Sequence, residues 1–264
     1  MIEIKEFVKI WKASLKEEVK NYDSIRFDIF QVGDNEASNR YVRNKIKDSE
    51  ELAIKTMLHK LPEAITTESL CNNIDLAREL SATAIMVQLP VPKTIDMQEV
   101  IKHIPALKDV DGFREDTSFE PCTPKGIIKY LEYNDFEFEG KLAVVLGRSE
   151  IVGKPIAKML LDRNCTVVQC HSHTPETVRN HLLSQADLVI CAVGKQGFIQ
   201  SKDAPNAFIV DVGINFNAEG KLCGDVITNP GDESRVTPVP GGVGLLTRTA
   251  LLDNILEAAK KQKY

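Results

Sequence analysis

Ser38, Tyr41 and Lys45 are spaced three and four residues apart, so a helix would bring them to one face. That face would set an aromatic plane and an amine together at the edge of the helix's buried stripe. An amine partly withdrawn from water holds its proton less firmly and can act as a base. On the helix pattern alone, Lys45 reads more simply as one more solvated lysine, in the company of Lys47 and Lys55. Gln88 is harder to set aside. It interrupts an otherwise apolar run over residues 82–89, near its carboxyl end, and a buried side-chain amide needs a partner. Asp109 and Asp111 offer two carboxylates in the turn Asp109-Val110-Asp111-Gly112-Phe113, and one of them is expected to be structural, as turn aspartates usually are.

A second stretch with chemical potential covers residues 141–160. The apolar run from Leu142 to Leu146 stops at Gly147, and Val152, Ile156, Met159 and Leu160 follow at helical spacing. A strand that feeds a tight turn and then a helix directs free N–H groups and a positive dipole end at that turn. Such a turn seats a phosphate, and Arg148 adds a guanidinium. Against the Gly-x-Gly-x-x-Gly fingerprint, Ser149 holds the second glycine position and Gly153 comes late. Taken alone, an ordinary strand–helix turn explains the stretch as well. Further strands are expected over residues 166–170, 188–193 and 208–212, the last two ending in Gly194 and Gly213, with a helix from about Pro175. Strands and helices in this alternation describe a doubly wound parallel sheet, which binds ligands at its strand carboxyl ends.

The strand over residues 166–170 runs out into Cys170-His171-Ser172-His173-Thr174, without the carboxylate that would accept from a ribose 2′-hydroxyl. With Arg148 nearby, the pattern favours NADP over NAD. The competing reading of Cys170, His171 and His173 as a metal site has no paired ligand motif of zinc spacing behind it, and no metal is expected.

The elements that must position these residues alternate in the first half as well. Residues 3–20 read as a helix with Phe7, Ile10, Trp11, Leu15 and Val19 on one side, and residues 24–32 as a strand ending at Gly33-Asp34-Asn35. A helix is expected from Glu36 to about Met57, with Val42, Ile46, Ser49 and Ala53 as its core stripe, and another over residues 67–80. The apolar run at 82–89 reads as a strand covered on both faces, so this lobe is also a parallel α/β layer. Pro121-Cys122-Thr123-Pro124 looks like a restart, with Thr123 capping a helix that begins at Pro124 and runs to about Tyr133. The lobe boundary is placed there.

At 264 residues the chain is long enough for two lobes, each with its own core. A net charge of −5 and a pI near 5.7 argue against a nucleic-acid-binding surface. The six cysteines are scattered through mostly apolar segments, as buried free thiols are in a reducing compartment. Nothing at the N-terminus resembles a signal peptide, and no apolar run would span a bilayer, so a cytoplasmic enzyme with no membrane partner is expected.

Several motifs now fall in one order: Ser38-x-x-Tyr41-x-x-x-Lys45, Val87-Gln88-Leu89-Pro90-Val91-Pro92, Lys108-Asp109-Val110-Asp111-Gly112-Phe113, Pro121-Cys122-Thr123-Pro124, Gly147-Arg148-Ser149-x-x-Val152-Gly153-x-Pro155, Cys170-His171-Ser172, Asp211-Val212-Gly213-Ile214-Asn215 and Thr237-Pro238-Val239-Pro240-Gly241-Gly242-Val243-Gly244. Over nearly its whole length the chain resembles the bifunctional methylenetetrahydrofolate dehydrogenase/methenyltetrahydrofolate cyclohydrolase family. The resemblance implies an α/β protein of two lobes: an N-terminal three-layer catalytic domain over 1–121 and a Rossmann-type NADP-binding domain with a parallel sheet over 122–243. It implies a C-terminal helix, within 244–264, packing back on the first lobe, a folate cleft and a homodimer. The substrates would be tetrahydrofolate derivatives: 5,10-methylenetetrahydrofolate is oxidised with NADP, and the methenyl product is hydrolysed to 10-formyltetrahydrofolate.

Carried over by position, the resemblance makes Lys45 the catalytic lysine, Gln88 its positioning partner and Asp111 the group that holds the pterin. Tyr41 would stack on the aminobenzoyl ring, with Ser38, Val87, Leu89 and the Pro240-Gly241-Gly242 loop also facing substrate. Gly147, Arg148, Ser149 and Ser172 would contact NADP, and Ile214 would lie by the nicotinamide.

The chain departs from the family in three places. Only residues 113–120 separate Asp111-Gly112 from Pro121, where the family has a longer segment with an Asn-x-Gly motif. Leu245 and Leu246 replace the Pro-Met that usually follows the glycine loop, and the Asp-Gly-Lys motif near the N-terminus is missing. Two other classes share part of the pattern. A two-lobe dehydrogenase acting on shikimate or an amino acid would share the cofactor half without requiring Tyr41, Lys45 and Gln88 to converge. A non-catalytic folate- or nucleotide-binding protein would fit the shortened segment, but not the retention of every candidate catalytic side chain.

Overall fold

The computed structural model describes residues 3–263. It divides into two compact units: an N-terminal unit, Ile10–Cys122 with Arg248–Tyr264, and a central unit, Thr123–Thr247 with Met1–Lys9.

The N-terminal unit is built from α1 (Ile4–Val19, which begins in the central unit), β1 (Arg26–Val32), α2 (Glu36–Glu51), β2 (Lys55–Leu61), α3 (Thr67–Glu79), β3 (Ala84–Gln88) and α4 (Met97–His103). Its three strands are parallel in the order β2-β1-β3. β1 lies in the middle and is buried on both faces, with Phe27, Ile29 and Phe30 fully enclosed. Each such side chain contributes roughly 1.5–3 kcal/mol through burial. Alternation along the strands sends Phe30, Val32, Ile85 and Val87 into one core with Leu70 and Ile74 of α3 and Val100 of α4. Asn35 caps α2, its side chain accepting from the Ser38 amide, and so starts the helix at the carboxyl end of β1.

Three expectations need correcting. α2 ends at Glu51 rather than near Met57, and Lys55–Leu61 forms a strand. The signal was weak because β2 is an edge strand with no fully buried residue, and its lysines, threonine and histidine blur the alternation. Ala53 does not belong to the core stripe: it is exposed and adopts φ +59° in the turn that leaves the helix. Thr123 is not an N-cap, since the next helix already includes Cys122, and the Thr123 hydroxyl instead bonds that of Thr247 at 2.9 Å.

The central unit contains that helix, α5 (Cys122–Tyr133, its first residue in the N-terminal unit), followed by β4 (Leu142–Leu146), α6 (Gly153–Leu161), β5 (Thr166–Cys170), α7 (Glu176–Gln185) and β6 (Leu188–Cys191). The short β7 (Ile199–Gln200) precedes β8 (Phe208–Asp211), and β9 (Asn215–Phe216), β10 (Leu222–Cys223) and β11 (Val226–Ile227) follow. The main sheet is parallel in the order β5-β4-β6-β8. Ala143 and Val145 pack with α5 and α6, while Val144 and Leu146 pack with Leu183 of α7, so both faces are covered. The order reverses at β4, and the strand carboxyl ends beside it are where a doubly wound sheet binds ligands.

The last helix, α8 (Val243–Lys261), enters the N-terminal unit at Arg248. There Asn254 donates to the carbonyl of Val110, and Gln262, just beyond the helix, donates to those of Thr83 and Leu107. The six cysteines are free. No helix among the described residues is long and apolar enough to cross a membrane.

Candidate active site and cofactor turn

In the N-terminal unit, α2, β3 and the turn after residue 108 bring three of the expected residues together. The Lys45 amine donates to Gln88 Oε1 at 3.0 Å and lies 3.5 Å from the Met86 sulfur. Met86 and Gln88 share a strand face because side chains alternate with a period of two. Lys45 is therefore half-buried and partnered, unlike a solvated surface lysine. Gln88 is buried, and its amide is used at both ends, with Nε2 donating to the carbonyl of Leu89 at 2.6 Å.

The isolated bridge between Ile85 and Asp109 sets the aspartate turn alongside β3. Asp109 is the structural member of the pair: it is 2% exposed and accepts from the Arg114 amide at 2.8 Å. Burial pushes its carboxyl up to about 6, and the neighbouring Asp111 adds to the rise. Asp111 is the member that the charge of the Lys45 amine reaches. Burial raises its carboxyl above the usual range, while the Lys45 charge and the Cys122 thiol pull it back down.

Tyr41 is half-buried on α2; burial raises its phenol, and the charges of Arg248 and Arg40 oppose that rise. Ser38 is buried, within 3.4 Å of the Gln31 amide. Val87 points into the core with Phe30 and Ile74 and is buried, so its side chain does not face Lys45. Leu89 is partly exposed beside cis Pro90.

The composition and motif pattern gave no sign of Asp48 and Arg248. Asp48 is buried, takes ion pairs from Lys12 (2.6 Å) and Arg248 (2.8 Å), and so fixes the guanidinium whose charge reaches Tyr41. The spacing Tyr41-Lys45-Asp48 on one helix was the available clue, although Arg248 lies far away in sequence.

In the central unit, Gly147 ends β4 with φ +112°, and a Cβ there would run into the carbonyl oxygen of Ala192. Only glycine fits this close approach of strand ends. Gly153, the first residue of α6, is equally crowded by the backbone of Gly147 and Arg148, and its amide donates to Ser149 Oγ at 3.2 Å. Arg148, Ser149 and Ser172 are exposed at these strand ends, and Ile214 is 51% exposed. A tight glycine turn, a helix N-terminus, an exposed guanidinium and no carboxylate after β5 together fit a nicotinamide dinucleotide carrying a 2′-phosphate. His171 and His173 are exposed, and no group of three metal-ligating side chains occurs among the described residues.

A pair of buried aspartates braces this end of the sheet. Asp225 accepts from the amides of Val193, Gly194 and Lys195 and from the Asn215 side chain. Asp211 accepts from the amides of Gly213, Asp225 and Val226. Burial raises the Asp211 carboxyl, and the bonded amides counter it. Asp225 escaped notice in the sequence, where its one signal is a charge between Gly224 and Val226 in an otherwise apolar stretch. Pro240, Gly241 and Gly242 form the turn before α8; Gly241 has φ +95°, and a Cβ on Gly242 would meet the Pro238 carbonyl.

The family model for the tetrahydrofolate dehydrogenase/cyclohydrolase catalytic domain matches residues 2–111, and that for the family's NAD(P)-binding domain matches residues 121–263. A protein named bifunctional protein FolD from Paracidovorax citrulli (strain AAC00-1) is 45% identical over 243 residues, covering 87% of this chain and 85% of its own. Its namesake from Agathobacter rectalis is 41% identical over 267 residues, 95% of each. The crystal structure of the bifunctional enzyme FolD, methylenetetrahydrofolate dehydrogenase/cyclohydrolase, from Campylobacter jejuni matches with a TM-score of 0.91 at 37% identity over 98% of both chains. That of the Trypanosoma brucei enzyme, complexed with NADP cofactor and inhibitor, matches at 0.90 and 29% identity, covering 100% of this chain and 98% of that one. The chain belongs to the tetrahydrofolate dehydrogenase/cyclohydrolase family.

Proposed function

We propose that the chain oxidises 5,10-methylenetetrahydrofolate to the methenyl cation and hydrolyses that cation to 10-formyltetrahydrofolate, with Lys45 handling the protons of the second step. The observation that carries this reading is the meeting of the Lys45 amine with the Gln88 carbonyl, next to the Asp111 carboxyl, in a chain of this family. The Gly147 turn would hold NADP, which would supply the hydride acceptor for the first step.

The chain's own residues supply binding and proton transfer. Tyr41 offers a ring on which the aminobenzoyl group stacks, and Asp111 offers a carboxyl to the donors of the pterin. Water adding to the methenyl carbon must lose a proton, and opening of the ring requires a proton on the departing nitrogen. One amine held at a fixed point can take the first and deliver the second, a role worth a hundred- to ten-thousandfold on the order of magnitude. Gln88 and the Met86 sulfur hold that amine with two of its three donors, and the third is the one that would serve the substrate. Arg148 and Ser172 are the groups for a 2′-phosphate, Gly147 and Ser149 those for the pyrophosphate, and Ile214 for the nicotinamide.

The resemblance also supports a homodimer working in the cytoplasm. Sedimentation at micromolar concentration tests the assembly, and a monomeric mass would overturn it. The activity is tested by mixing the protein with tetrahydrofolate, formaldehyde and each nicotinamide cofactor in turn. NADPH should form, followed by loss of the methenyl absorbance. No reduction of either cofactor would overturn the reading.

A further inference from the structure

We infer that Asn254, far along the C-terminal helix, is a positioning residue that fixes Asp111 against Lys45 by tying Val110, just before Asp111, to Glu120 at the end of the shortened 113–120 segment. This rests on the proposed role of Asp111 in holding folate.

Asn254 is fully buried on α8, and its Nδ2 donates to the carbonyls of Val110 at 2.8 Å and Glu120 at 2.9 Å. Val110 immediately precedes Asp111, and Glu120 closes the segment that follows it. One amide nitrogen thus clamps the base of the loop, with both of its hydrogens engaged. The same nitrogen is 3.7 Å from the Cys122 sulfur, which in turn contacts the Val110 carbonyl at 3.3 Å and Asp111 Oδ1 at 3.8 Å. Gly112 shows how tightly the loop doubles back: its φ is +73°, and a Cβ there would press on the backbone of Phe119 and Pro121.

A side chain from another element holds this turn. Opening the clamp would leave the Val110 and Glu120 carbonyls without this donor and free the Asp111 turn to shift. The groups facing Asp111 are Lys45 from α2, Cys122 from the start of α5 and Asp109 within its own turn, the last braced by the Arg114 amide. A moved Asp111 would change the charge seen by Lys45, and with it the pH dependence of hydrolysis.

The test uses the full-length chain, with Asn254→Ala as the first variant. The expected result is a KM for methylenetetrahydrofolate raised on the order of tenfold, a displaced pH profile for methenyl hydrolysis and an NADP KM within about twofold of wild type. The folate effect should vanish in an Asp111→Ala background, since the two residues act as one unit. Wild-type folate KM and pH profile in a folded Asn254→Ala would overturn the inference, as would an undiminished effect in the Asp111→Ala background. Should Asn254→Ala fail to fold, Cys122→Ala removes the sulfur between the clamp and the carboxyl and should move both readouts the same way by a smaller factor. An unchanged Cys122→Ala would then count against the inference. A wild-type chain that neither binds folate nor turns it over would fail before any variant is made, and would take the functional reading down with it.

Discussion

Lys45 Nζ lies 3.0 Å from Gln88 Oε1, and Gln88 Nε2 is committed to the Leu89 carbonyl at 2.6 Å. An amide whose nitrogen is anchored to its own strand can only turn its oxygen toward the amine. Gln88 thereby fixes the position of Lys45 without neutralising it, as a carboxylate would. Removing the amide would leave Lys45 with the Met86 sulfur, a far weaker acceptor, and with the charge of Asp111, neither of which fixes the amine as the amide oxygen does.

Gln88→Ala should therefore displace the pH optimum of methenyl hydrolysis and lower its maximum by roughly tenfold or more, as expected when a proton-transfer group is misaligned. A pH–rate profile of the variant beside that of wild type is the check. Superimposable profiles would show that Gln88 does not act on Lys45.

Arg148 is exposed at the Gly147 turn, in a chain that has no carboxylate after β5 to prefer a free ribose hydroxyl. Arg148→Ala should raise the KM for NADP much more than that for NAD, because only the former loses a charged partner. Steady-state kinetics with both cofactors measure this, and equal losses would assign Arg148 to the shared pyrophosphate. Equal or better efficiency of the wild type with NAD would remove the preference altogether.

The Asp109 carboxyl rises from an ordinary 3.8 to about 6 on folding, chiefly through burial. The folded chain therefore binds this proton more tightly than the unfolded chain does, so stability falls as pH climbs from about 4 to 6 and levels off above. A shift of this size corresponds to about 3 kcal/mol. Asp109→Asn does not titrate there, so its unfolding free energy relative to wild type should improve by up to ~3 kcal/mol between pH 4 and 7. Urea unfolding at both pH values decides it. A constant difference would mean that folding does not raise the Asp109 carboxyl.

The central unit was the more legible half in the sequence, since β4, β6 and β8 are short, largely buried apolar runs, and β5, although a half-buried edge strand, keeps an apolar stretch and stops at a polar turn. β2 was missed because an edge strand need not bury a face, and Lys55-Thr56-Met57-Leu58-His59-Lys60-Leu61 can continue a helix as readily as start a strand. At the site, spacing alone put Ser38, Tyr41 and Lys45 together, but helix pattern could not separate Lys45 from a solvated lysine. That distinction depends on Gln88, 43 residues away, and on which face of β3 it occupies. Arg248 and Asn254 were invisible for the same reason, and Asp48 showed no more than its helix spacing: their partners lie on other elements, and no local periodicity encodes a long-range pair.

The most direct test is Lys45→Met, assayed for hydrolysis of methenyltetrahydrofolate and for NADP reduction, beside Tyr41→Ala. Methionine keeps the length and apolar stem but removes the amine. If Lys45 handles the protons of the second step, hydrolysis should drop by a factor on the order of a hundred to ten thousand. NADP reduction, which requires no proton from this amine, should survive in part. Tyr41→Ala should instead weaken folate binding and impair both steps together, because stacking serves ground and transition states alike. Full hydrolytic activity in Lys45→Met would contradict the account and leave only its cofactor half standing.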